Sequence, residues 1–504
     1  MPGTRIKIID QIMNWFRNPE ETHILWLRGM AGTGKSTIAL TVCRIVQADP
    51  TIVLGGSFFC SRSASSAERR DVTCIIPTLA QLLARQSEDY SVALAAELER
   101  DPDLAHKQVS TQFEGLLLRP FIAMRAPARP ILFVIDALDE CSSEPTKAGV
   151  GSNSLQSVSV LLEELAKFSQ REERLPVKFL ITSRPETHIR RTPIARTSVS
   201  AIIHLHDVDR TEVAADIWLY VTAKFPKDFD GEKWYNDDDI VNIVNLADGL
   251  FIFAATVMRY ILTPLGDDQR AGRLRRVATP SVLSYSLDEM YRLVLSNTSD
   301  PVESDDSELK DTREIIAVIL SARTPLTVRA LSELLQRSLR SLRGLLENLH
   351  AVIQVPVDDD EDYLRTLHAS FGDFLFSSRA PDHIRLEASL GHDRLARGCL
   401  RRMSADDLCF NVSRSRSSFQ HNSHEQQSVI PLSLQYAAIQ WAHHVALSSD
   451  PTLYDGDIIS TFRPKLLFWL EVLSVTREVR LASGLLLIAA SNVSTYTRCH
   501  CQEY

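Results

Sequence analysis

The sequence predicts an α/β fold with a parallel sheet over its first 205 residues and helices thereafter. Three observations predict it. Residues Gly29-Met30-Ala31-Gly32-Thr33-Gly34-Lys35-Ser36 fit the G-x-x-x-x-G-K-[ST] pattern between a strand-like run and a helical one. Short apolar runs then alternate with helical periodicities up to residue 205, which is the pattern of strands joined by crossover helices. Beyond 205 the strand signal nearly vanishes.

Each element follows from its own residues. Ile6, Ile9, Met13 and Phe16 recur at helical spacing and predict a helix before the first strand. His23 to Leu27 reads as a buried strand, and Thr37 to Val42 continues the glycine loop as a helix. Thr51 to Cys60 is a second strand, and helical patterns follow near 72–86, 91–99 and 109–118. Ile131 to Ile135 and Val177 to Ile181 are short buried strands separated by a Ser/Gly/Pro-rich loop at 142–153 and a helix near 155–169. Ser200 to Leu205 is the fifth strand. Helices at 209–225, 237–247 and 250–263 come next, then a polar linker at 263–281 and an exposed loop at 296–311. Three helical patterns at 312–322, 327–337 and 340–349 precede two apolar strands around the acidic run Asp358 to Asp362, which suggests a winged helix. Its acidic turn would repel phosphate, so the unit is expected to pack rather than to bind nucleic acid. From 383 to 490 the pattern is helical throughout. The domains are therefore 1–205, 206–280, 281–380 and 381–504.

Strand, glycine loop and helix together present backbone N–H groups and a helix N-terminus to phosphate. Gly29, Gly32, Thr33, Gly34, Lys35, Ser36 and Thr37 are the candidate nucleotide contacts. The lysine reaches the β- and γ-phosphates and the Ser36 hydroxyl ligates Mg²⁺. Asp136 ends the run 131–135, so its carboxylate emerges at the carboxyl edge of the sheet, where ligands of open α/β sheets bind. With Ser36 it is the candidate metal ligand. Ala137 stands where many phosphate-loop ATPases carry a glutamate. Asp139 and Glu140 lie three and four residues on, and either one can orient or deprotonate the attacking water. Thr182-Ser183-Arg184-Pro185 follows the strand 177–181, which puts Arg184 at the same edge, positioned for a γ-phosphate.

Bulk properties narrow the function. Net charge is −9 over 504 residues, which argues against a large nucleic-acid footprint. The eight cysteines are scattered without zinc spacing, which suits a reducing, cytoplasmic setting. Cys499-His500-Cys501 reads as a frayed tail. Met1 to Phe16 is amphipathic and carries Asp10, unlike a secretory leader. The longest apolar run, Gly249 to Leu262, contains Arg259 and is too short to span a bilayer.

Gly29 to Ser36, Asp136-Ala137-Leu138-Asp139-Glu140-Cys141 and Thr182-Ser183-Arg184-Pro185 together resemble the NACHT domain of the STAND class of signalling NTPases. The wording is most similar to fungal NACHT proteins of the vegetative-incompatibility and nephrocystin-3-like type. Ser57 to Arg62, Gly249 to Ala254, and Leu367 to Phe371 with Asp373 to Leu375 add to the resemblance, which covers about residues 4–475. It implies a nucleotide-controlled switch. Mg²⁺ with ATP or GTP is bound and slowly hydrolysed, the helical and winged-helix domains close around it, and opening permits self-association. It also implies a phosphate-sensing histidine at His368. Gly249-Leu250-Phe251 lacks the proline that many relatives pack on the base, which leaves ATP or GTP open. Full-length relatives usually carry an N-terminal effector domain and C-terminal repeats. This chain starts one helix before the loop and ends in helices, so a fragment, a truncated gene model and a naturally short form all fit. Two other readings stand beside the switch: a conventional turnover ATPase, and a non-hydrolysing scaffold completed by bound nucleotide.

Overall fold

A computed structural model describes residues 3–61, 67–124, 129–141, 154–171, 175–196, 198–225, 234–263, 266–278, 287–296, 306–360, 362–415 and 424–492. The anticipated loop at 142–153, most of the one at 296–311 and the tail at 499–501 lie outside them. The chain forms two compact units, Met1–Ser284 and Tyr285–Tyr504.

The first unit is built on five parallel strands: β1 (Ile24–Arg28), β2 (Val53–Phe59), β3 (Ile131–Asp136), β4 (Val177–Ser183) and β5 (Ala201–His204). They lie in the order β2-β3-β4-β1-β5. All five sit where the apolar runs predict them. The central strands are buried on both faces because both faces are covered, and alternate side chains serve the two layers. Leu25, Leu27, Leu132, Val134 and Leu180 face one core with helices α1 (Ile6–Arg17) and α2 (Lys35–Ala48). Ile24, Trp26, Phe133, Ile135, Phe179 and Ile181 face the other, under α3 (Ile75–Ala84), α4 (Glu88–Arg100) and α5 (Ser154–Ser169). Lys178 interrupts the apolar run of β4 without breaking it. Its stem is buried, and its Nζ donates to the carbonyls of Trp15 at 2.8 Å and Asn18 at 2.6 Å, capping the C-terminal end of α1.

Two details depart from the sequence pattern. On α1 the core face is carried by Ile8, Ile12, Met13, Trp15 and Phe16, whereas Ile6 is 57% exposed and Ile9 half-buried. The linker anticipated at 263–281 contains a helix. After α6 (Arg210–Lys224), α7 (Asp237–Ala247) and α8 (Phe251–Leu262), residues Asp267–Ala278 form α9. Its sequence reads as a linker because it is mostly charged. Yet Asp267 and Asp268 sit in its first turn and Arg275 and Arg276 in its last, which suits the helix dipole. Leu274 and Val277 are buried, and Arg273 lies 4.8 Å over the Tyr260 ring.

In the second unit, α10 (Leu287–Ser296) is followed by α11 (Asp306–Ser321), α12 (Val328–Leu335) and α13 (Leu339–Glu347). A two-stranded antiparallel ribbon comes next, β6 (Ile353–Gln354) with β7 (Arg365–Thr366). The acidic turn of that ribbon is held internally. Arg343 Nε donates to Asp359 at 2.8 Å, and Arg329 pairs with Asp360. After α14 (Ala369–Leu375), helices α15 (Ala388–Ser404), α16 (Leu432–Leu447), α17 (Asp455–Val475) and α18 (Ala482–Asn492) complete the unit. Gly391 and Gly398 lie seven residues apart on one face of α15. A Cβ at either would fall 2.2 Å from the Ala317 carbonyl oxygen or 2.6 Å from that of Leu334, so their absence of a side chain lets α15 seat against α11 and α12. No helix among the described residues is long and apolar enough to cross a membrane.

Candidate functional site

The loop between β1 and α2 has the geometry its motif demands. Gly32 and Gly34 have φ of +79° and +91°, conformations that favour glycine. Gly32 has a second constraint: a Cβ there would fall 2.0 Å from Ile252 Cγ2, because the first turn of α8 sits directly on the loop. The Ile252 N–H donates to the Gly32 carbonyl at 3.2 Å. Lys35 is buried, and its Nζ donates to the carbonyls of Gly29 and Met30, both at 2.8 Å. Burial lowers its pKa, opposed first by Asp139. Thr33 Oγ1 donates to the Met30 carbonyl at 2.9 Å and braces the same turn.

The carboxyl edge of β3 and β4 completes the site. Asp136 is buried, which raises its pKa, while hydrogen bonds from the Ser36 and Thr182 hydroxyls act the other way. The Thr182 contact is 2.6 Å, and the same hydroxyl accepts the Ala137 N–H at 2.9 Å. Ala137 has φ +52°, a left-handed conformation that costs a residue with a Cβ about 1–2 kcal/mol, and it turns the chain sharply after Asp136. That turn delivers Asp139 to Arg184. Asp139 Oδ1 accepts the Arg184 N–H at 2.9 Å, and Oδ2 lies 3.3 Å from Arg184 Nε. The Asp139 side chain is 3% exposed and that of Arg184 18%. Glu140 is half-buried, and its N–H donates to the Ala137 carbonyl at 2.8 Å.

The structure thus brings most of the anticipated residues together. Asp136, Asp139, Glu140 and Arg184 all lie close enough to Lys35 to act on its charge. Thr37 is exposed on the first turn of α2. His368 belongs to the second unit, where it caps α14. Its Nδ1 accepts the Ser370 N–H at 3.1 Å, which puts the ring proton of a neutral imidazole on Nε2.

Two contributors escape sequence reasoning. Thr182 reads as part of a motif, but its bridging of Asp136 and Ala137 depends on β3 and β4 being neighbours. Arg5 has φ +58° and is buried. It donates to the Thr33 carbonyl at 3.1 Å and lies 5.0 Å over the Phe251 ring, while its backbone N–H reaches Asp216 at 3.0 Å. It ties loop, α6 and α8 together from a position that looks like the solvated start of a helix.

Mg²⁺ prefers oxygen donors and keeps several waters, so it needs one or two protein ligands and phosphate oxygens. The Ser36 hydroxyl on the Asp136 carboxylate, at the mouth of a loop shaped for phosphate, fits that requirement. A nucleotide-bound Mg²⁺ there would supply charge neutralisation between β- and γ-phosphates.

Residues 3–184 match the family model described as Nephrocystin 3, N-terminal. Over 512 aligned residues the chain is 23% identical to the vegetative incompatibility protein HET-E-1 of Podospora anserina. The alignment takes in 93% of this chain and 34% of that protein, so the chain spans about a third of the relative's length. A Signal Transduction ATPase with Numerous Domains (STAND) protein with a tetratricopeptide repeat sensor, from Pyrococcus horikoshii, aligns over 97% of this chain and 63% of its own. Its TM-score is 0.39 and its identity 11%, a likeness too low to carry an argument.

Proposed function

We propose that this chain, whose residues 3–184 match the nephrocystin 3 N-terminal family model and which is similar to a fungal incompatibility protein, is of the fungal NACHT type and acts as a nucleotide-dependent signalling switch. It binds Mg-ATP or Mg-GTP on the loop 29–36 and hydrolyses it slowly. The observation that carries this is the convergence of Lys35, Ser36, Asp136, Glu140 and the Asp139–Arg184 pair at one sheet edge. Lys35 leaves its loop carbonyls for the β- and γ-phosphates, Ser36 and Asp136 hold the metal, and Arg184 answers to the γ-phosphate. Asp139 is occupied in holding Arg184, so Glu140 is the residue that positions the attacking water. The helices 206–280 form the helical domain, and α8 senses the loop through Ile252. Residues 281–380 act as a winged-helix domain whose His368 reads the phosphate through Nε2–H. Residues 381–504 form the C-terminal helical region. Release of these contacts opens the domains and permits self-association, in a reducing cytoplasmic setting, with effector and signal partners still to be identified. Only contacts present in one nucleotide state and absent in the other can shift such an equilibrium.

The test is a calorimetric titration of the full chain, freed of co-purified nucleotide, with Mg-ATP and Mg-GTP, beside Lys35→Ala. Saturable binding in the wild type and its loss in Lys35→Ala is the expected result. Equal affinity in both removes the proposal.

A further inference from the structure

The end of β5 carries a cluster that the nucleotide reading does not use. His204, His206 and Asp207 each offer one ligand atom, and the three atoms lie within 4.8 Å of one another. The backbone explains why. The strand ends at His204, and residues 204–207 form a turn in which Leu205 is buried against the loop while the His204 and His206 rings come together, with centroids 5.1 Å apart. In that turn the Asp207 N–H donates to the His204 carbonyl at 3.1 Å, which curls the carboxylate back to 3.3 Å from His206 Nε2. His204 Nδ1 is buried and makes no hydrogen bond. His206 and Asp207 are 56% and 67% exposed, so an ion can reach them from solvent. The neighbouring cation, Arg28, lies 5.5 Å over the Trp26 ring, and its charge also acts on His204.

We propose that His204, His206 and Asp207 form a binding site for a divalent transition ion of the zinc type. Two imidazoles and one carboxylate are a donor set that Zn²⁺ accepts and Mg²⁺ does not favour. Ligand bonds of about 2.0–2.2 Å require the three atoms to draw in by about 1 Å, which two exposed side chains can do. A fourth position is left for water. The site lies where β5 hands over to the helical part of the unit. Leu205 donates its N–H to the Arg28 carbonyl at 2.8 Å and packs on Gly29, and Asp209, two residues past Asp207, caps α6. Bound metal therefore stiffens the connector between the nucleotide sheet and the helices that sit on its loop. The site stands whether or not nucleotide binds.

The test uses the full chain carrying Cys499→Ser and Cys501→Ser, which removes the Cys-His-Cys tail as a competitor. Co²⁺ is titrated and followed by visible absorption, and Zn²⁺ by competition with a chromophoric chelator. The expected result is one equivalent bound, with the intense visible bands of four- or five-coordinate Co²⁺ and no sulfur-to-metal band. His206→Ala then weakens Zn²⁺ binding by about 100-fold or more while leaving the metal-free melting temperature unchanged. His204→Gln gives the same loss and guards against a peculiarity of one variant. Zn²⁺ also slows amide exchange over 204–210 in the parent and not in His206→Ala. Superimposable titrations of parent and His206→Ala, or a thiolate band on the cobalt, overturn the site.

Discussion

Replacing Asp139 by asparagine separates a clamp from a base. The side chain is 3% exposed and holds Arg184, itself 18% exposed, through both its N–H and its guanidinium. An amide oxygen can keep the N–H bond at 2.9 Å, so that contact survives the change. The ion pair does not, and a mostly buried guanidinium loses the charge of Asp139. Breaking a buried pair by removing one partner costs about 3–5 kcal/mol. Partial exposure of Arg184 and the surviving hydrogen bond bring the expectation to about 2–3 kcal/mol. For a folding unit of this size that lowers the melting temperature by about 4–12 °C. Urea unfolding of the full chain should show an earlier transition of unchanged slope for the first unit. Glu140→Gln, at a half-buried position, should stay within about 0.5 kcal/mol of wild type and lose nucleotide hydrolysis. An Asp139→Asn protein with wild-type stability and no hydrolysis refutes the reasoning and makes Asp139 the base.

Three further outcomes follow from the same geometry. Gly32→Ala forces φ +79° on a residue with a Cβ and drives that carbon to 2.0 Å from Ile252; it should destabilise by about 2–4 kcal/mol. Ile252→Ala in the same chain should restore part of the loss in a double-mutant cycle by thermal unfolding, and strict additivity would count against the contact. Thr182→Val keeps the shape but takes the acceptor from the half-buried Ala137 N–H, at about 1–2 kcal/mol. Denaturant unfolding checks it, and a midpoint equal to wild type would show the bridge to be incidental. Burial raises Asp136 above 3.8, so the native state keeps the proton to higher pH than the unfolded chain does. Its charge thus costs stability above the raised value, and the cost fades as pH falls through it to 3.8. Asp136→Asn should therefore melt higher than wild type at neutral pH without Mg²⁺, with the gap closing in acid. A constant gap across the titration contradicts burial as the cause.

The parts legible in the sequence are those that local chemistry dictates. β3 and β4 announce themselves because a strand covered on both faces reads as a mostly apolar run, and the glycine loop because positive φ and close backbone approach leave few alternatives. Asp136 is legible for the same reason: it is the first polar residue after a buried run. The pairing of Asp139 with Arg184 is not, since it arises from β3 and β4 lying side by side across 45 residues of chain. Arg5 is invisible because its partners, Thr33 and Phe251, lie far along the chain in a loop carbonyl and an aromatic face. α9 fails differently: its apolar stripe is only Leu274 and Val277 among charges, too thin to register as a helical face.

These pairings bear on how the proposed switch would be poised. Lys35 donates to its own loop, Ser36 to Asp136, and Arg184 is held by Asp139, so these groups already have internal partners. On the proposed reading, a triphosphate replaces those bonds rather than adding to an empty site. The net gain is the difference between charge-assisted bonds to phosphate and the bonds given up, a few kcal/mol rather than the sum of the new contacts. Small differences between di- and triphosphate can then decide the balance, because losing one γ-phosphate returns Arg184 to a partner already in place. Weakening the internal partner should accordingly tighten binding to whichever state uses the freed group. Asp139→Asn, though less stable, should show a larger preference for triphosphate over diphosphate than wild type. Unchanged selectivity in competition titrations would mean that Arg184 never leaves Asp139, and that the γ-phosphate is read elsewhere.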